Sequence, residues 1–212
     1  MTYFPALLNI DYKKVVVVGG GNVAAQKVRA LLPTKANIHI ISPDLIAELA
    51  SYVQEGRAIW HEKQFAPHDV DDAVLVFATT NSEAVNDAVE EATQHWQQFS
   101  RADMKGRVDF INPAVVRRGE LILAVSTSGA SPGYTRKLKA ELEEQFDESY
   151  AQYIAFLKHC RQQINATLTD KAAKRKALQQ TLRPEVFDWL QQGDVQQCEA
   201  FLQNLLNGEQ ST

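Results

Sequence analysis

The stretch VVVVGGGNVAAQKVRALL, from Val15 to Leu32, decides the fold of the first half of the chain. Four β-branched residues in a row are typical of a buried strand, and the apolar residues after the glycines recur at helical spacing. Gly19, Gly21 and Ala24 match the pattern G-x-G-x-x-G/A, in which the glycines allow a tight turn and a close approach to a pyrophosphate. The stretch therefore predicts a strand, a phosphate-binding turn and a helix packed closely on the strand.

The succession of a strand and a helix repeats beyond this stretch. Five further elements follow the same rule, with strands predicted at 37–42, 58–65 and 73–80 and helices predicted at 45–56 and 82–96. Neighbouring parallel strands need a crossover helix between them. The alternation therefore predicts an α/β fold with a parallel, doubly wound sheet over residues 1–112.

The pattern changes after Pro113. Residues 120–146 have the pattern of a strand, a loop of small residues and a helix, and the rest of the chain has helical periodicity that is interrupted at Pro184. We therefore assign residues 113–147 to a central segment and residues 148–212 to a helical C-terminal domain.

Composition excludes several classes of protein. The chain has 212 residues, of which 45% are hydrophobic and 23% are charged, and its formal net charge is −4. These values are typical of a soluble globular protein, and neither a membrane-spanning run nor a secretory signal is visible. Cys160 and Cys198 match no metal or redox spacing, and the five histidines are scattered. We expect a cytoplasmic protein with reduced thiols, no metal site and no membrane partner.

The glycine turn is expected to bind NAD. The helix that follows it would direct its free N–H groups and the positive end of its dipole at the phosphates. Asp44 comes just after the second strand, where an acid can hold the ribose hydroxyls, and no arginine stands nearby to bind a 2′-phosphate, which favours NAD over NADP. Ligands of such sheets bind at the carboxyl ends of the strands. The candidate cofactor-binding residues are Gly19, Gly20, Gly21, Asn22, Val23, Pro43, Asp44, Thr79 and Thr80.

A second set of candidate residues lies in the central segment. Small hydroxyl residues at the start of a predicted helix offer O–H and N–H donors to an anion. Arginines on the turn before the predicted strand, and basic residues on the helix, add positive charge. The candidate substrate-binding residues are Arg117, Arg118, Ser126, Thr127, Ser128, Ser131, Arg136 and Lys137.

Three blocks of the chain resemble, in order and spacing, those of the precorrin-2 dehydrogenase family, which is also known as the siroheme synthase N-terminal family. The blocks are FPALLNIDYKKVVVVGGGNVAAQKVRALL, FATTNSEAVN and GELILAVSTSGASPGYTRKL, and the match covers about residues 1–145. The S-T-S-G-A-S-P block makes the resemblance specific, because a bare Rossmann domain lacks it. The resemblance implies an N-terminal Rossmann-like domain, a central dimerisation segment and a helical C-terminal domain.

The resemblance also implies a function. Members of the family form homodimers and oxidise precorrin-2 to sirohydrochlorin with NAD, and some also insert ferrous iron, a ferrochelatase activity that the sequence leaves open. The family's important aspartate lies seven residues before the Phe of an F-x-x-P stretch, which matches Phe110 and Pro113 here and gives Asp103 as the candidate catalytic base or orienting group. The chain departs from the family at residues 100–102, where Ser-Arg-Ala replaces an Asn-Val-hydrophobic run, so Asp109 is the alternative.

Two other functions are compatible with parts of the sequence. An NAD-sensing regulatory module with a partner-binding helical tail would account for the glycine turn, but it would leave the Ser/Thr-rich loop unexplained. Seven basic residues between Lys158 and Arg183 are typical of a solvated helix face, and an anion-binding surface is the alternative. They lack the interleaved aromatic residues of a single-strand binder, so no nucleic-acid partner is expected. The carboxylates of a tetrapyrrole substrate are the anions that fit this reading.

Overall fold

The computed structural model describes residues 3–103 and 105–207, which fall into two compact units, with the division of the chain between Asn112 and Pro113. The strands of the N-terminal unit are β1 (Lys14–Val18), β2 (Asn37–Ser42), β3 (Ile59–Glu62), β4 (Leu75–Ala78) and β5 (Gln98–Arg101). Its helices are α1 (Asn22–Leu31), α2 (Ala47–Gln54) and α3 (Glu83–Ala92), with a short 3₁₀ helix at Pro67–Val70.

All five strands run parallel in the order β3-β2-β1-β4-β5. The predicted α/β fold with a doubly wound parallel sheet is therefore confirmed. The order reverses at β1, because the chain first builds β2 and β3 on one side and then returns to build β4 and β5 on the other. In open sheets of this kind, the crevice at the reversal is the usual place for a ligand.

The sheet is covered on both faces, as parallel sheets generally are. Val15 and Val17 of β1 belong to one apolar cluster with residues of α1 and α2, whereas Val16 and Val18 belong to a second cluster with Val89 of α3. Alternate side chains of a strand point to opposite faces, so an uninterrupted valine run is what a doubly covered strand requires. The sequence pattern and the position of the core therefore agree.

The end of the third helix was predicted wrongly. The predicted helix at 82–96 is too long, since α3 ends at Ala92. Gln97 explains the early end: its Oε1 accepts a hydrogen bond from the N–H of Gln94, and its Nε2 donates to two carbonyl groups of the loop before β4. The chain then enters β5, which was not predicted because its residues include Gln, Ser and Arg.

The C-terminal unit begins with an antiparallel hairpin and is otherwise helical. Its elements are β6 (Ala114–Arg118), β7 (Leu121–Val125), α4 (Pro132–Gln145), α5 (Ser149–Thr167), α6 (Lys171–Gln180), α7 (Pro184–Gln191) and α8 (Val195–Asn207). The predicted turn at Arg117 and Arg118 is wrong, because both residues are paired in β6 and the hairpin turns at Gly119. No helix in the part of the chain that the structure describes is long and apolar enough to cross a membrane.

Only the last four helices of this unit build a conventional core. Phe156, Cys160 and Ile164 of α5 pack against Leu202 of α8 in an apolar cluster that also includes residues of α6 and α7. In contrast, no residue of α4 is fully buried, and the hairpin buries only Val116. A two-stranded hairpin is marginally stable in water on its own. The hairpin and α4 therefore leave apolar side chains half-exposed that the core of this unit does not cover.

Candidate functional site

A cleft of about 770 Å³ opens at the carboxyl ends of β1, β2 and β4 in the N-terminal unit. This is the point at which the strand order reverses. All the predicted cofactor-binding residues except Asp44 line the cleft, namely Gly19, Gly20, Gly21, Asn22, Val23, Pro43, Thr79 and Thr80.

The three glycines of the turn have different reasons to lack a side chain. Gly19 has φ +126°, and a Cβ there would lie 2.7 Å from Oγ1 of Thr79. A Cβ on Gly20 would collide with the carbonyl oxygen of Asp44 and lie 2.6 Å from Oγ of Ser42. A Cβ on Gly21 would meet no protein atom within 4 Å. The first two glycines are therefore required by the protein itself, and the third faces open space.

The head of α1 is available to an anion. The first backbone hydrogen bond of the helix runs from the N–H of Ala25 to the carbonyl of Gly21, so the N–H groups of residues 22–24 have no partner inside the helix. Its first turn holds no acidic residue, and Gly21 offers no side chain to cap it. Ala24 is fully buried against the sheet, as the fingerprint predicts. This arrangement, with open space at Gly21, fits a dinucleotide pyrophosphate.

The wall opposite the glycine turn is formed by the end of β4. Thr79 is buried, and both its N–H and its hydroxyl donate hydrogen bonds to the carbonyl of Val18, at 2.9 and 2.8 Å. Thr80 lies next to it and lines the cleft. The two threonines therefore differ in role, because the hydrogen bonds of Thr79 join β4 to β1 whereas Thr80 forms part of the wall of the cleft.

The end of β2 differs in part from the prediction. Asp44 is exposed and lies outside the cleft lining, and its backbone packs against Gly20. Residues that the sequence analysis missed line the cleft beside Pro43, including Gln64 and Phe65. They follow β3, so the rule that ligands bind at carboxyl ends of strands would have found them if it had been applied to the third strand.

The carboxylate of Asp103 is held by four hydrogen bonds. Oδ1 accepts from Nε of Arg101 at 2.7 Å and from the N–H of Lys105 at 3.1 Å. Oδ2 accepts from a second guanidinium nitrogen of Arg101 at 2.9 Å and from Nδ2 of Asn86 at 3.2 Å. An ionised carboxylate offers about four acceptor positions. All of them are therefore used within the protein, although the side chain is 26% exposed.

Arg101 is the centre of this arrangement. Its side chain is only 2% exposed, and besides Asp103 it contacts Asp87 and Glu90 of α3, each at 2.8 Å. The Arg101 guanidinium holds the pKa of the Asp103 carboxyl well below its usual range, and the bonds to Asp103 hold the pKa of Arg101 well above its own. Asp103 is therefore ionised at every physiological pH.

Asp109, the alternative acid, is bound to the edge of β5. Its Oδ2 accepts a hydrogen bond from the N–H of Phe99 at 2.9 Å and forms an ion pair with Arg107 at 2.7 Å. Arg107 also donates to backbone carbonyls between Thr93 and Gln97. These contacts hold Asp109 against the edge of β5 and give it a structural role within the N-terminal unit.

The hydroxyl groups of the Ser/Thr-rich loop mostly bond to one another or to the backbone. Ser131 caps α4 by accepting from the N–H of Tyr134 at 3.3 Å, and Oγ1 of Thr127 accepts from the N–H of Ser131 at 3.0 Å. Oγ of Ser126 accepts from the N–H of Ser128, which adopts φ +52°. Ser126 and Ser128 are nevertheless exposed. The loop is therefore a preformed turn at the start of α4 with two exposed serines.

The four basic candidates of the central segment are not equally free. Arg118 is largely buried, donates to the carbonyl of Glu143 and has Nε 3.4 Å from Glu148. Lys137 pairs loosely with Glu141 at 3.7 Å. Arg117 and Arg136 are exposed. Among residues 3–103 and 105–207, no group of three or more His, Cys, Asp or Glu side chains is arranged to hold a metal ion.

Two family models match consecutive parts of the chain, and a solved structure matches most of its length. A family model described as "Putative NAD(P)-binding" matches residues 6–114, and one described as "Sirohaem biosynthesis protein central" matches residues 118–145. A solved structure of "SirC, precorrin-2 dehydrogenase" superposes with a TM-score of 0.78 at 30% identity, and the match covers 93% of this chain and 100% of that one.

Two curated relatives identify the family to which the chain belongs. It is 31% identical to precorrin-2 dehydrogenase of Priestia megaterium, over 82% of this chain and 87% of that protein. It is 32% identical to siroheme synthase of Nitrosospira multiformis over 99% of this chain, but over only 45% of that protein. The chain thus spans less than half the length of that siroheme synthase. It belongs to the precorrin-2 dehydrogenase family, which it shares with the matching part of the siroheme synthases.

Proposed function

We propose that this protein is an NAD-dependent precorrin-2 dehydrogenase of siroheme biosynthesis that produces sirohydrochlorin. The observation that carries the proposal is the cleft at the reversal of the strand order. There the glycine turn and the uncapped N-terminus of α1 leave space and free N–H groups for a pyrophosphate. The comparisons support the proposal, because the chain is similar to a precorrin-2 dehydrogenase over 87% of that protein's length. The cytoplasmic location expected from the sequence stays part of this proposal.

The reaction removes two electrons and two protons from precorrin-2. When bound, NAD supplies the hydride acceptor, so the products are sirohydrochlorin, NADH and one proton. Gly21 and the free N–H groups at residues 22–24 would hold the pyrophosphate, and Thr80 would bound the cofactor at the end of β4. The chain's contribution is to fix the cofactor so that the reacting atoms meet in a productive geometry.

Of the two roles predicted for Asp103, catalytic base or orienting group, the contacts of its carboxylate favour the second. A carboxylate whose pKa lies far below neutral is a weak proton acceptor, and general bases work best with a pKa near the working pH. Two bonds from Arg101 also fix the plane of the carboxylate. These contacts favour a fixed anion that orients its neighbours over a base that accepts the substrate proton.

Substrate binding is assigned to the central segment. Precorrin-2 carries eight carboxylates, and Arg117, Arg136 and Lys137 offer exposed positive charge to them. Ser126 and Ser128 add exposed hydroxyl donors. Arg118 donates to the carbonyl of Glu143 near the end of α4, and Thr127 and Ser131 are bonded within the turn that starts α4, so these three residues support the segment rather than the ligand.

The proposed form of the protein is a homodimer. The hairpin of β6 and β7 buries little, and α4 presents Tyr134 at 53% exposure with Leu138 and Leu142 half-buried on the same face. Apolar positions four residues apart lie on one side of a helix. A second copy of the same segment would cover these side chains, which would stabilise an element that is marginal alone.

Anaerobic incubation of the purified protein with precorrin-2 and NAD tests the proposal. We expect NADH to appear at 340 nm together with the absorption spectrum of sirohydrochlorin, in equal amounts. Omission of NAD or of precorrin-2 provides the control. Tight NAD binding without turnover would refute the enzyme and favour an NAD-sensing module. A parallel arm with ferrous ion separates dehydrogenation from iron insertion, because loss of the sirohydrochlorin spectrum to a metallated product would report the second activity.

A further inference from the structure

Asn86 links the cofactor cleft to Asp103. This asparagine lies on α3 and is 1% exposed, and it does not line the cleft itself. Its Oδ1 lies 2.8 Å from the hydroxyl of Thr80 and 3.3 Å from the N–H of the same residue, both of which donate to it. Its Nδ2 donates to the carbonyl of Thr80 at 3.2 Å and to Oδ2 of Asp103 at 3.2 Å.

These partners fix the orientation of the carboxamide. An N–H donor must face Oδ1, and the carbonyl of Thr80 and the carboxylate of Asp103, which are acceptors, must face Nδ2. The reversed carboxamide would set an oxygen against two acceptors and an NH₂ group against donors. Asn86 therefore binds Thr80 through the backbone N–H, the carbonyl and the side chain at once. No residue without both a donor and an acceptor can replace it.

Asp103 is in turn fixed from the other side. Arg101 holds both of its oxygens, and the same guanidinium reaches Asp87 and Glu90 on the helix that carries Asn86. The chain of contacts thus begins at a buried arginine of β5 and ends at a residue of the cleft wall. Asp103 is the charged group that contacts the carboxamide of Asn86, and Asp103 is held in turn by Arg101 and by the backbone N–H of Lys105. Asp87 and Glu90 neutralise Arg101 from α3.

The position of Thr80 tells which part of a dinucleotide is affected. In this fold the adenosine ribose of a bound dinucleotide is held near the end of the second strand, so the nicotinamide half would lie on the other side of the glycine turn, towards β4. We propose that Asn86 is a positioning residue for the nicotinamide half of the bound dinucleotide, acting through Thr80 and anchored by Asp103. The inference rests on the NAD binding of the proposed function and not on the identity of the tetrapyrrole.

Binding of two ligands to the full-length protein tests the role of Asn86. NAD would extend from the end of β2 to the end of β4, whereas ADP, which lacks the nicotinamide half, would fill only the adenosine and pyrophosphate part of the cleft. By isothermal titration calorimetry we expect Asn86→Ala to raise the Kd of NAD about tenfold, since fixed polar contacts at Thr80 are lost. The Kd of ADP should stay within about twofold of the wild-type value. Partial unfolding would weaken both ligands equally.

Asn86→Asp adds a readout that a purely structural role would not give. This variant keeps an acceptor for Thr80 but loses the donor. It also sets two carboxyl groups side by side, and their repulsion raises the pKa of one of them. Its NAD affinity should therefore be low at pH 8 and recover towards pH 5.5, where the protonated carboxyl again donates to its neighbour. Asn86→Ala should show no such recovery.

Gln97→Leu is the matched control. Gln97 is another buried carboxamide of the N-terminal unit, and its Nε2 donates to the carbonyls of Val70 and Ala73, away from Thr80. Its loss should lower stability and leave the ratio of the two Kd values unchanged. The inference is overturned if the Asn86 variants leave that ratio at the wild-type value. Because the readout is binding, it decides this point even if the wild type does not oxidise precorrin-2.

Discussion

Alanine at each of two neighbouring glycines should separate the needs of the fold from the needs of the ligand. A Cβ on Gly20 meets the backbone of Asp44 and lies 2.6 Å from Oγ of Ser42, whereas a Cβ on Gly21 meets nothing within 4 Å. The backbone of Gly21 is extended, with φ −96° and ψ −167°, which any residue can adopt. Gly20→Ala should therefore strain the protein, and Gly21→Ala should only fill the space that we assign to the pyrophosphate.

The expected magnitudes follow from these contacts. Forcing a methyl group against a rigid carbonyl costs about 1–3 kcal/mol, so Gly20→Ala should lower the free energy of unfolding by that amount. Gly21→Ala should leave it within about 0.5 kcal/mol, as for a substitution that touches no other residue. If the new methyl group displaces the pyrophosphate from one charge-assisted hydrogen bond, the loss is about 1.5–3 kcal/mol, which raises the Kd of NAD about tenfold to about a hundredfold.

Two measurements on the same preparations check the comparison. Urea denaturation followed by circular dichroism gives the free energy of unfolding, and isothermal titration calorimetry gives the Kd of NAD. The reasoning fails if Gly21→Ala binds NAD as tightly as the wild type, since the open space beside Gly21 would then have no role in binding. It also fails if Gly21→Ala is destabilised as much as Gly20→Ala, because the structure shows a collision at only one of the two positions.

Three further perturbations have defined outcomes. Arg101→Met leaves three partly exposed carboxylates without their guanidinium partner and should lower the free energy of unfolding at pH 7 by about 2–4 kcal/mol. Because Arg101 lowers the pKa of Asp103 in the folded protein, the stabilisation is complete above about pH 4, the unfolded pKa, and urea denaturation should show the deficit starting to shrink only below that pH and shrinking further towards the lower folded pKa. Burial, and then His61, lower the pKa of His39, so the unfolded chain is protonated first and stability should fall between pH 7 and pH 5; His39→Gln should make that slope shallower, and an unchanged slope would contradict the assignment. Tyr134→Glu should convert the proposed dimer to a monomer in sedimentation velocity without lowering the melting temperature of the helical core, and an unaltered sedimentation coefficient would argue against this dimer surface.

Most of the N-terminal fold could be predicted from sequence because its signals are local. The valine run of β1 and the glycines after it identify a strand and a turn without reference to any other part of the chain. The end of β5 shows the opposite case. Phe99, Ser100 and Arg101 are all buried, yet two of the three are polar, so no hydrophobic pattern marks the strand. Its burial depends on pairing with β4 and on carboxylates supplied by α3.

The candidate site divides in the same way. The glycine turn was predicted residue by residue, since the fingerprint fixes the spacing of residues that act together. Asn86 is the last residue of the block FATTNSEAVN, which also contains Thr80, but it was not named as a candidate because an asparagine in a helical pattern is more often exposed. Its role depends on Thr80, six residues earlier, and on Asp103, seventeen residues later. Such contacts follow from the packing of α3 on the sheet, which a single sequence does not contain.

Arg101 connects the departure from the family pattern with the chemistry of Asp103. A guanidinium buried where the resemblance predicts an apolar residue would be unstable alone, because desolvation of a lone charge is costly. Asp87, Glu90 and Asp103 supply the negative charge that it requires. The same contacts lower the pKa of Asp103 and occupy its oxygens, which disfavours a proton-accepting role for this residue. The contacts of the aspartate are therefore those of a fixed anion, and through Asn86 they reach Thr80 at the wall of the cleft.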